Sequence, residues 1–282
     1  MTEQRHILLV NDLPGVGKVA TAAMEPVLSH MGFSVALLPT ALVSNTLDFG
    51  TFEILDTCEY MKKTADVWKK LDFHFDAVCI GFINSPEQIG IIRELIENQR
   101  ESLRFVIADT IMADEGKLYN GMTGKNVESM REMIRYADVI TPNLTEALLL
   151  AGEDPEQYDS LSHREIGCVM RKLREFGARS VILTSCHVPS EDRYFVYGYD
   201  AGSRSVFRVP YELKGTRCPG TGDIFSAVLT GGLMNGKTLE ESTREAVRFM
   251  SGMFEYLGDR EPGYMGFPIE AYLAELRQPL PR

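Results

Sequence analysis

The feature that most constrains the fold of this chain is a repeated alternation of short apolar runs and longer segments of helical character. The apolar runs have the length of buried strands, and the segments between them carry apolar residues at helical spacing. Strands joined through helices form parallel pairs, because a parallel connection needs a long crossover. We therefore predict an α/β fold, a doubly wound and mostly parallel sheet with helices on both faces, as a single domain of residues 1–282.

The pattern also predicts the individual elements. The expected strands are His6–Val10, Phe33–Leu38, Asp76–Gly81, Arg104–Ala108, Val139–Ile140 and Val181–Leu183, followed by a hairpin of Tyr194–Tyr199 and Ser205–Val209. The expected helices are one ending near Met31, then Thr57–Leu71, one capped by Ser85 before Pro86, Asn126–Tyr136, one with Glu146 in its first turn, one from the Ser162 capping box to Phe176, Gly222–Asn235, Leu239–Leu257 and Ile269–Arg277. We expect a loop over Pro39–Phe52.

Polar or aromatic residues follow the predicted strands at the point where each one ends. They are Asn11-Asp12, Phe82, Asp109, Asn143 and Thr184-Ser185. In an open parallel sheet ligands bind at the carboxyl ends of the strands. Each residue alone could be a cap or a turn residue, but together they predict one site at this edge.

The segment Leu213–Gly232 holds the strongest chemical motif. Gly220-Thr221-Gly222 is a glycine turn that leads into a helix, and Asp223 follows it directly. The N–H groups and the dipole of a helix N-terminus bind anions, and a neighbouring carboxylate can accept a proton. This combination suits phosphoryl transfer to a hydroxyl group. The alternative is a simple turn with Asp223 as a helix cap.

Composition excludes several classes of function. With 29 Lys and Arg residues against 40 Asp and Glu residues, the net charge is −11, and no dense basic cluster offsets it. We therefore expect no nucleic-acid partner and no anionic membrane partner. The start MTEQRHILLV runs into a strand rather than a signal peptide, and the five cysteines have no metal-ligand spacing. Reduced thiols and a cytoplasmic location are the expectation.

Three motifs resemble those of the ribokinase superfamily, and within it the pyridoxal (pyridoxamine) kinases. Gly220–Asp223 resembles the GTGD signature, and Thr141–Ala147 resembles the TPN-x-x-E-A segment. Asp109–Tyr119 resembles the pattern DPVMGD-x-GKLY, with Thr110 and Ala113 in place of proline and glycine. The resemblance extends over nearly the whole chain.

The resemblance implies roles for these residues. It makes Asp223 the catalytic base and the backbone of Gly220, Thr221 and Gly222 the anion hole. It puts Asn143, Glu146, Thr184 and Ser185 near the phosphates of ATP, and Asp109, Asp114 and Glu146, the last through water, in an acidic patch for Mg²⁺. The charge of ATP beside an acidic patch requires a divalent cation between them. A monovalent cation such as K⁺ is a further expectation from the family.

The substrate pocket departs from the family pattern. By resemblance Asp12, Asn45, Thr46 and Phe82 contact the pyridine ring of a vitamin B6 vitamer. The segment Ser44-Asn45-Thr46 lacks the family's ring-contacting histidine. Asp12 as a helix cap and Phe82 as a core residue are the alternatives.

The resemblance predicts a vitamin B6 kinase, an ATP-dependent enzyme that forms a homodimer. A hydroxymethylpyrimidine kinase or a sugar kinase of the same fold is the alternative, as is a catalytically silent binding protein. Sugar kinases carry additional lid strands early in the chain, whereas Val35–Leu55 shows no clear hairpin pattern.

Overall fold

Eight strands form the central sheet of this computed structural model, which describes residues 5–212, 218–258, 260 and 263–276. The strands are β1 (His6–Val10), β3 (Ser34–Leu37), β6 (Ala77–Ile80), β7 (Phe105–Ala108), β10 (Val139–Ile140), β11 (Ser180–Val188), β12 (Arg193–Asp200) and β13 (Ser205–Tyr211). Their order is β13-β12-β11-β10-β7-β6-β1-β3. The strands from β3 to β11 pair in parallel, and β12 and β13 continue the sheet as an antiparallel hairpin. The predicted doubly wound sheet is confirmed.

Helices cover both faces of this sheet. They are α1 (Ala20–His30), α2 (Cys58–Lys70), α3 (Pro86–Gln99), α4 (Gly124–Met133), α5 (Leu144–Ala151), α6 (His163–Glu175), α7 (Thr221–Met234) and α8 (Leu239–Leu257). Side chains of β1 alternate between the two resulting cores, because successive residues of a strand point to opposite faces. Leu8 and Val10 pack with helices α2 to α6, whereas Ile7 and Leu9 pack with α1, α7 and α8. In the part of the chain that the structure describes, no helix is long and apolar enough to cross a bilayer.

A second, three-stranded sheet lies in the region where we predicted a loop. It contains β2 (Leu13–Pro14), β4 (Ala41–Val43) and β5 (Ile54–Asp56). The prediction of a loop over Pro39–Phe52, and of no hairpin within Val35–Leu55, is therefore wrong, because β4 and β5 pair in antiparallel register. Each of these strands has only three residues, too few to show an alternating pattern in the sequence. The argument against a sugar kinase from a missing hairpin therefore fails.

Two further elements differ from the prediction. Strand β11 does not end at Thr184-Ser185 but continues to Val188 through an irregularity between Leu183 and Cys186. Ser185 has a φ of 56°, so the extended conformation of the strand is interrupted at the polar pair where we predicted the strand to end. The predicted helix Ile269–Arg277 is two 3₁₀ turns, Ile269–Ala271 and Leu273–Glu275.

Some predicted features lie outside the described residues or lack the expected contact. Arg277 and the start of the motif segment, residues 213–217, are outside the described residues. Ser85 is the N-cap of α3, but its hydroxyl has no hydrogen-bond partner among the residues described. A short hairpin of β8 (Ala113–Asp114) and β9 (Lys117–Leu118) completes the strands.

Candidate active site

The chain reverses its direction across the sheet at β1, which pairs with β3 on one side and with β6 on the other. Such a switch point opens a crevice at the carboxyl ends of the strands. Asn11 follows β1 and is fully buried there. Its side-chain oxygen accepts hydrogen bonds from the backbone N–H of Asp12 at 2.9 Å and of Phe82 at 2.8 Å. Asn11 thereby links the residues that follow β1 and β6.

Asn11 also reaches the N-terminus of α7. Its amide nitrogen donates to Oδ1 of Asp223 at 3.2 Å. A Cβ on Gly81 would lie 2.4 Å from the Asn11 amide, so only glycine leaves room for this side chain. We predicted Asn11 at this edge of the sheet from its position after a buried strand, but gave it no role in the site.

Asp223 is buried and is held by two donors. Besides Asn11, the backbone N–H of Ala20 donates to Oδ2 at 2.8 Å. Burial raises the pKa of Asp223 to about 6, and the two hydrogen bonds oppose that rise. A carboxylate with this pKa is ionised at neutral pH and still able to take a proton, as a general base requires.

Ala20 adopts an unusual backbone conformation in order to make that bond. Its φ is 49°, a left-handed value that disfavours residues with a Cβ. Residues held in this region often mark functional sites, because the surrounding structure must enforce the conformation. No side-chain pattern reports a backbone donor, so sequence reasoning could not have found Ala20.

The glycine turn is packed against the loop that precedes α1. Gly220 has a φ of 85°, and a Cβ on it would lie 2.2 Å from the carbonyl oxygen of Lys18. At Gly222 a Cβ would lie 3.4 Å from Oδ2 of Asp109. The turn therefore needs glycine at position 220. At position 222 the absence of a side chain lets the Asp109 carboxylate approach the backbone closely. The first-turn N–H groups of α7, including those of Thr221 and Gly222, point out of the helix end, where an anion can bind.

Asp109 is the second buried carboxylate of the crevice. Its Oδ2 accepts a hydrogen bond from the Ser226 hydroxyl at 3.0 Å, and Ser226 in turn lies 3.0 Å from the Thr141 hydroxyl. Burial, followed by the charge of Asp223, raises the pKa of Asp109 to about 7. A divalent cation beside this pair would favour the ionised form of both, so the residues fit a magnesium ion. Ser226 was missed because a serine inside a helix gives no sequence signal.

Asn143 and Glu146 form a capping box at the start of α5. The Asn143 side chain accepts from the Glu146 N–H at 2.9 Å, and Oε2 of Glu146 accepts from the Asn143 N–H at 3.0 Å. Glu146 also accepts from the Thr110 hydroxyl and from the N–H of Met112. Burial, and then the charge of Asp109, raises the pKa of Glu146. In this structure the carboxylate holds the loop after β7 in position.

The carboxylates of Asp109, Asp114 and Glu146, the predicted acidic patch, differ in what they contact. Among the described residues, no three carboxylate, imidazole or thiolate groups could hold a metal ion together. The oxygens of Glu146 accept hydrogen bonds from Thr110, Met112 and Asn143, and the predicted contact of Glu146 with a metal ion is one through water. Asp114 lies in the β8–β9 hairpin, where its Oδ1 accepts from the Glu115 N–H. Asp109 is the member of the three that lies next to the glycine turn.

Thr184 and Ser185 lie at the irregularity in β11. Thr184 pairs with Asn143 as an isolated parallel bridge, and its N–H donates to the Pro142 carbonyl at 2.9 Å. It therefore lies beside the start of α5. Ser185 lies near Tyr211 of β13.

The three-stranded sheet covers the side of the crevice near Asp12. Phe82 is buried against Ala41 and Val43 on the inner face of this sheet. The Thr46 hydroxyl donates to the Tyr264 carbonyl at 2.7 Å. The Asn45 amide donates within its own loop, to the carbonyls of Thr46 and Thr51. The predicted ring-contacting residues thus meet in one region, but Asn45 and Thr46 use their polar groups to hold the loop together.

Asp12 differs from its neighbours because no described residue donates a hydrogen bond from another side chain to its carboxylate. Its backbone carbonyl accepts from the Thr21 hydroxyl at 2.7 Å, which fixes the chain at this point. Burial, followed by the charge of Asp223, raises the pKa of Asp12 to about 7. The carboxylate is therefore available to a ligand in the crevice.

These parts can perform one type of chemistry. Asp223 can remove a proton from a hydroxyl, while the N-terminus of α7 binds an anionic group close by. A hydroxyl substrate lying between Asp12 and Asp223 would have its oxygen next to the anion site. This geometry is that of a phosphoryl acceptor site.

Comparison with known proteins supports this reading. The sequence profile of the phosphomethylpyrimidine kinase family matches residues 26–265. A Bacteroides thetaiotaomicron protein provisionally described as a phosphomethylpyrimidine kinase, in a crystal structure with pyridoxal, is 35% identical, with coverage of 99% of this chain and 98% of that one and a TM-score of 0.92. Pyridoxal kinase from Lactobacillus plantarum is 28% identical, with coverage of 97% and 96% and a TM-score of 0.85. Hydroxymethylpyrimidine/phosphomethylpyrimidine kinase from Aquifex aeolicus is 24% identical over 237 residues, which are 83% of this chain and 88% of that one.

Proposed function

Because the chain belongs to the phosphomethylpyrimidine kinase family, we propose that it transfers the γ-phosphoryl group of ATP to the hydroxymethyl group of a vitamin B6 vitamer. The observation that carries the proposal is the position of Asp223. Its carboxylate stands at the anion-binding end of α7, is held by Asn11 and Ala20, and lies close enough to Asp12 for its charge to raise the pKa of that carboxyl. A relative crystallised with pyridoxal, at 35% identity, supports the choice of a pyridine substrate.

In the proposed reaction Asp223 takes the proton of the substrate hydroxyl as its oxygen attacks the γ-phosphorus. The bond between the γ-phosphorus and the bridging oxygen breaks, and ADP leaves. The backbone N–H groups of Thr221 and Gly222 bind the transferring phosphoryl group. A magnesium ion, held by the phosphates and Asp109, would neutralise the charge on the phosphates.

The ring of the substrate would lie against the three-stranded sheet. Asp12 would accept a hydrogen bond from the ring nitrogen when that nitrogen is protonated, or from a ring hydroxyl group. Thr184 and Asn143, side by side at the start of α5, would lie along the phosphates of ATP. Asp114 and Glu146 would support this region rather than contact the nucleotide directly, because their carboxylates accept hydrogen bonds from neighbouring protein groups.

Hydroxymethylpyrimidine is the second candidate acceptor. It is favoured by the name of the family and of the Aquifex aeolicus relative. Both substrates offer a hydroxymethyl group on a six-membered aromatic ring that contains nitrogen. The two substrates differ in the hydrogen-bonding groups around the ring, and Asp12 is the residue that could distinguish between them.

Turnover measurements test the proposal. The protein would be incubated with ATP and Mg²⁺ and, separately, with pyridoxal, pyridoxamine, pyridoxine, hydroxymethylpyrimidine or ribose, with ADP release and product mass as readouts. We expect the highest kcat/KM with a B6 vitamer and no ADP release above background in the Asp223→Asn variant. A higher kcat/KM with hydroxymethylpyrimidine would replace the B6 proposal. Ligand binding without phosphorylation of any acceptor would refute the kinase assignment and favour a binding protein.

A further inference from the structure

A short segment near the end of the described chain holds two loops of the active site together. We call this segment, residues 263–267, the C-terminal strap. The Met265 carbonyl accepts a hydrogen bond at 2.7 Å from the N–H of Lys18, in the loop before α1. The Tyr264 carbonyl accepts one at 2.7 Å from the hydroxyl of Thr46, in the loop between β4 and β5. The strap therefore joins these two loops to each other.

Aromatic contacts anchor the strap on both sides. Phe267 is fully buried and packs edge-on against Phe254 of α8, with ring centroids 4.8 Å apart. Tyr264 packs edge-on against Phe49, in the same loop as Thr46, with ring centroids 5.3 Å apart. Edge-on aromatic pairs stabilise a contact beyond the area that they bury. The strap is thus fixed to the core on one side and to the loop between β4 and β5 on the other.

The carbonyl group of Lys18 lies between two glycines. A Cβ on Gly220, at the start of α7, would lie 2.2 Å from the carbonyl oxygen. A Cβ on Gly266, in the strap, would lie 2.8 Å from the same oxygen and 3.1 Å from the Pro219 carbonyl oxygen. These neighbours are backbone atoms, so they cannot move aside as the end of a flexible side chain can. Three distant stretches of the chain meet at one carbonyl group, and the strap can approach it because residue 266 is glycine.

The position of this carbonyl group affects how the base is held. Two residues after Lys18, the N–H of Ala20 donates to Oδ2 of Asp223 at 2.8 Å. Ala20 has a φ of 49°, a conformation that its surroundings must enforce. Because one residue separates Lys18 from Ala20, a displacement of the Lys18 carbonyl also displaces this N–H. A general base that is moved away from hydrogen-bond distance to the substrate hydroxyl loses much of its effect.

We propose that the C-terminal strap is a positioning element for the general base, with Gly266 as the positioning residue. The strap acts on Asp223 through the loop before α1. Because adjacent residues of the strap bind Lys18 and Thr46, it also links the position of the base to the loop between β4 and β5. The inference rests on the proposed phosphoryl transfer with Asp223 as the base.

Gly266→Ala tests the proposal, with Gly236→Ala as the matched control. The two glycines have φ values of 80° and 85°, so alanine introduces similar backbone strain at both positions. Gly236 lies just beyond the C-terminal end of α7. Outside its own chain neighbours, no atom of the described residues lies within 4 Å of a Cβ there. The control therefore reproduces the backbone strain without the contact at Lys18.

Steady-state kinetics with ATP and, in parallel, pyridoxal or hydroxymethylpyrimidine would give kcat and KM for each variant. Calorimetry would give the dissociation constant of the acceptor, and thermal unfolding would give the melting temperature. Gly266→Ala should lower kcat by about 10–100-fold, while KM and the dissociation constant change by less than about threefold. Gly236→Ala should leave kcat unchanged.

A milder pair of variants decides the outcome if Gly266→Ala does not fold. Tyr264→Ala removes the ring that contacts Phe49, whereas Tyr264→Phe keeps it. The Tyr264 side chain is 53% exposed, so neither substitution leaves a cavity in the core. Tyr264→Ala should lower kcat by about 2–10-fold, and Tyr264→Phe should restore the wild-type value.

A purely structural role of the strap predicts a different result. Loss of stability alone would lower the melting temperature of both glycine variants and leave kcat of the folded enzyme unchanged. Equal kcat values in Gly266→Ala and Gly236→Ala would overturn the proposal, as would equal values in the two Tyr264 variants or a higher KM with an unchanged kcat. A wild-type protein that phosphorylates neither acceptor would refute the kinase activity itself, and this inference with it.

Discussion

Replacing Asp223 by asparagine should abolish most of the activity without destabilising the fold. The wild-type carboxylate accepts one hydrogen bond from Asn11 and one from the N–H of Ala20. An asparagine oxygen can keep one of these donors, whereas its NH₂ group cannot accept from the other. The substitution removes the general base and leaves the volume of the side chain almost unchanged. Loss of a positioned general base typically lowers kcat by about 10²–10⁴-fold.

The stability effect follows from the pKa of Asp223. A rise from 3.8 to about 6 means that the ionised form costs the folded state about 3 kcal/mol. Folding raises the pKa of Asp223. The contribution of this group to the free energy of unfolding is therefore fully present below pH 3.8, where the carboxyl is protonated in both states, and is lost as the pH rises through about 6. Asparagine carries no charge, so the variant avoids that loss, while one mismatched donor costs about 1–2 kcal/mol. At pH 8 we expect an equal or higher melting temperature.

Steady-state kinetics and thermal unfolding at pH 5 and pH 8 test both parts. In the wild type, kcat/KM should rise with pH up to about 6 and then level off, as the base loses its proton. Asp200→Asn, a substitution of the same type in the β12–β13 turn, serves as the control and should retain full activity. A decrease in kcat of less than about tenfold at saturating substrates, or a melting temperature several degrees lower at pH 8, would refute the reasoning.

Three further predictions concern the walls of the site. Gly220→Ala should lower the free energy of unfolding by at least about 2 kcal/mol, measured in urea, because its Cβ would meet the Lys18 carbonyl at a φ of 85°. Ala20→Gly should leave stability unchanged or raise it by up to about 1 kcal/mol, since glycine accepts a φ of 49°, whereas Ala22→Gly in the same helix should lower it by about 1 kcal/mol. Turnover should stop in excess chelator, and Asp109→Asn should raise the Mg²⁺ concentration for half-maximal rate by about 10–100-fold; full activity in chelator would contradict this.

The sequence allowed the centre of the main sheet to be predicted because strands β1, β6 and β7 are largely buried on both faces. Strand β1 was predicted with its correct ends, His6–Val10, since an uninterrupted apolar run followed by Asn11-Asp12 has clear limits. Helix α8 was also predicted with its correct ends, Leu239–Leu257, and in the structure a Thr238 capping box begins this amphipathic helix. The short strands β4 and β5 were missed, because their pairing depends on contacts with Phe82 and the loop before α1 rather than on local pattern.

The site was predictable to the extent that side chains follow strand ends. Asp223, Asp109 and Asp12 do converge, as the rule for parallel sheets requires. What the sequence could not indicate is how each polar group is used. The hydrogen bonds that occupy Glu146 and Asn45 arise from three-dimensional neighbours, and only the structure shows them to be internal contacts.

Asp12 provides the last prediction, which concerns the choice among B6 vitamers. Its carboxylate receives no hydrogen bond from another side chain of the described residues, and burial with the Asp223 charge raises its pKa to about 7. At neutral pH it is therefore ionised in only part of the molecules. A cationic substrate group would favour the ionised form and pair with it, and pyridoxamine has an aminomethyl cation that pyridoxal lacks. We expect kcat/KM for pyridoxamine to be at least comparable with that for pyridoxal.

The pH dependence makes this prediction specific. As the pH rises from 6 to 8, Asp12 ionises, so the ratio of kcat/KM for pyridoxamine to that for pyridoxal should increase. An exposed ion pair contributes about 0.2–1 kcal/mol and a buried charge-assisted bond about 1.5–3 kcal/mol, which corresponds to a preference between a few-fold and about a hundredfold. Asp12→Asn should lower the ratio and make it independent of pH. Because the substitution also changes the field at Asp223, which acts on both vitamers alike, the ratio is the proper readout. If the variant slows both vitamers equally, Asp12 binds the ring or supports the loop; if neither rate changes, Asp12 only fixes the start of α1.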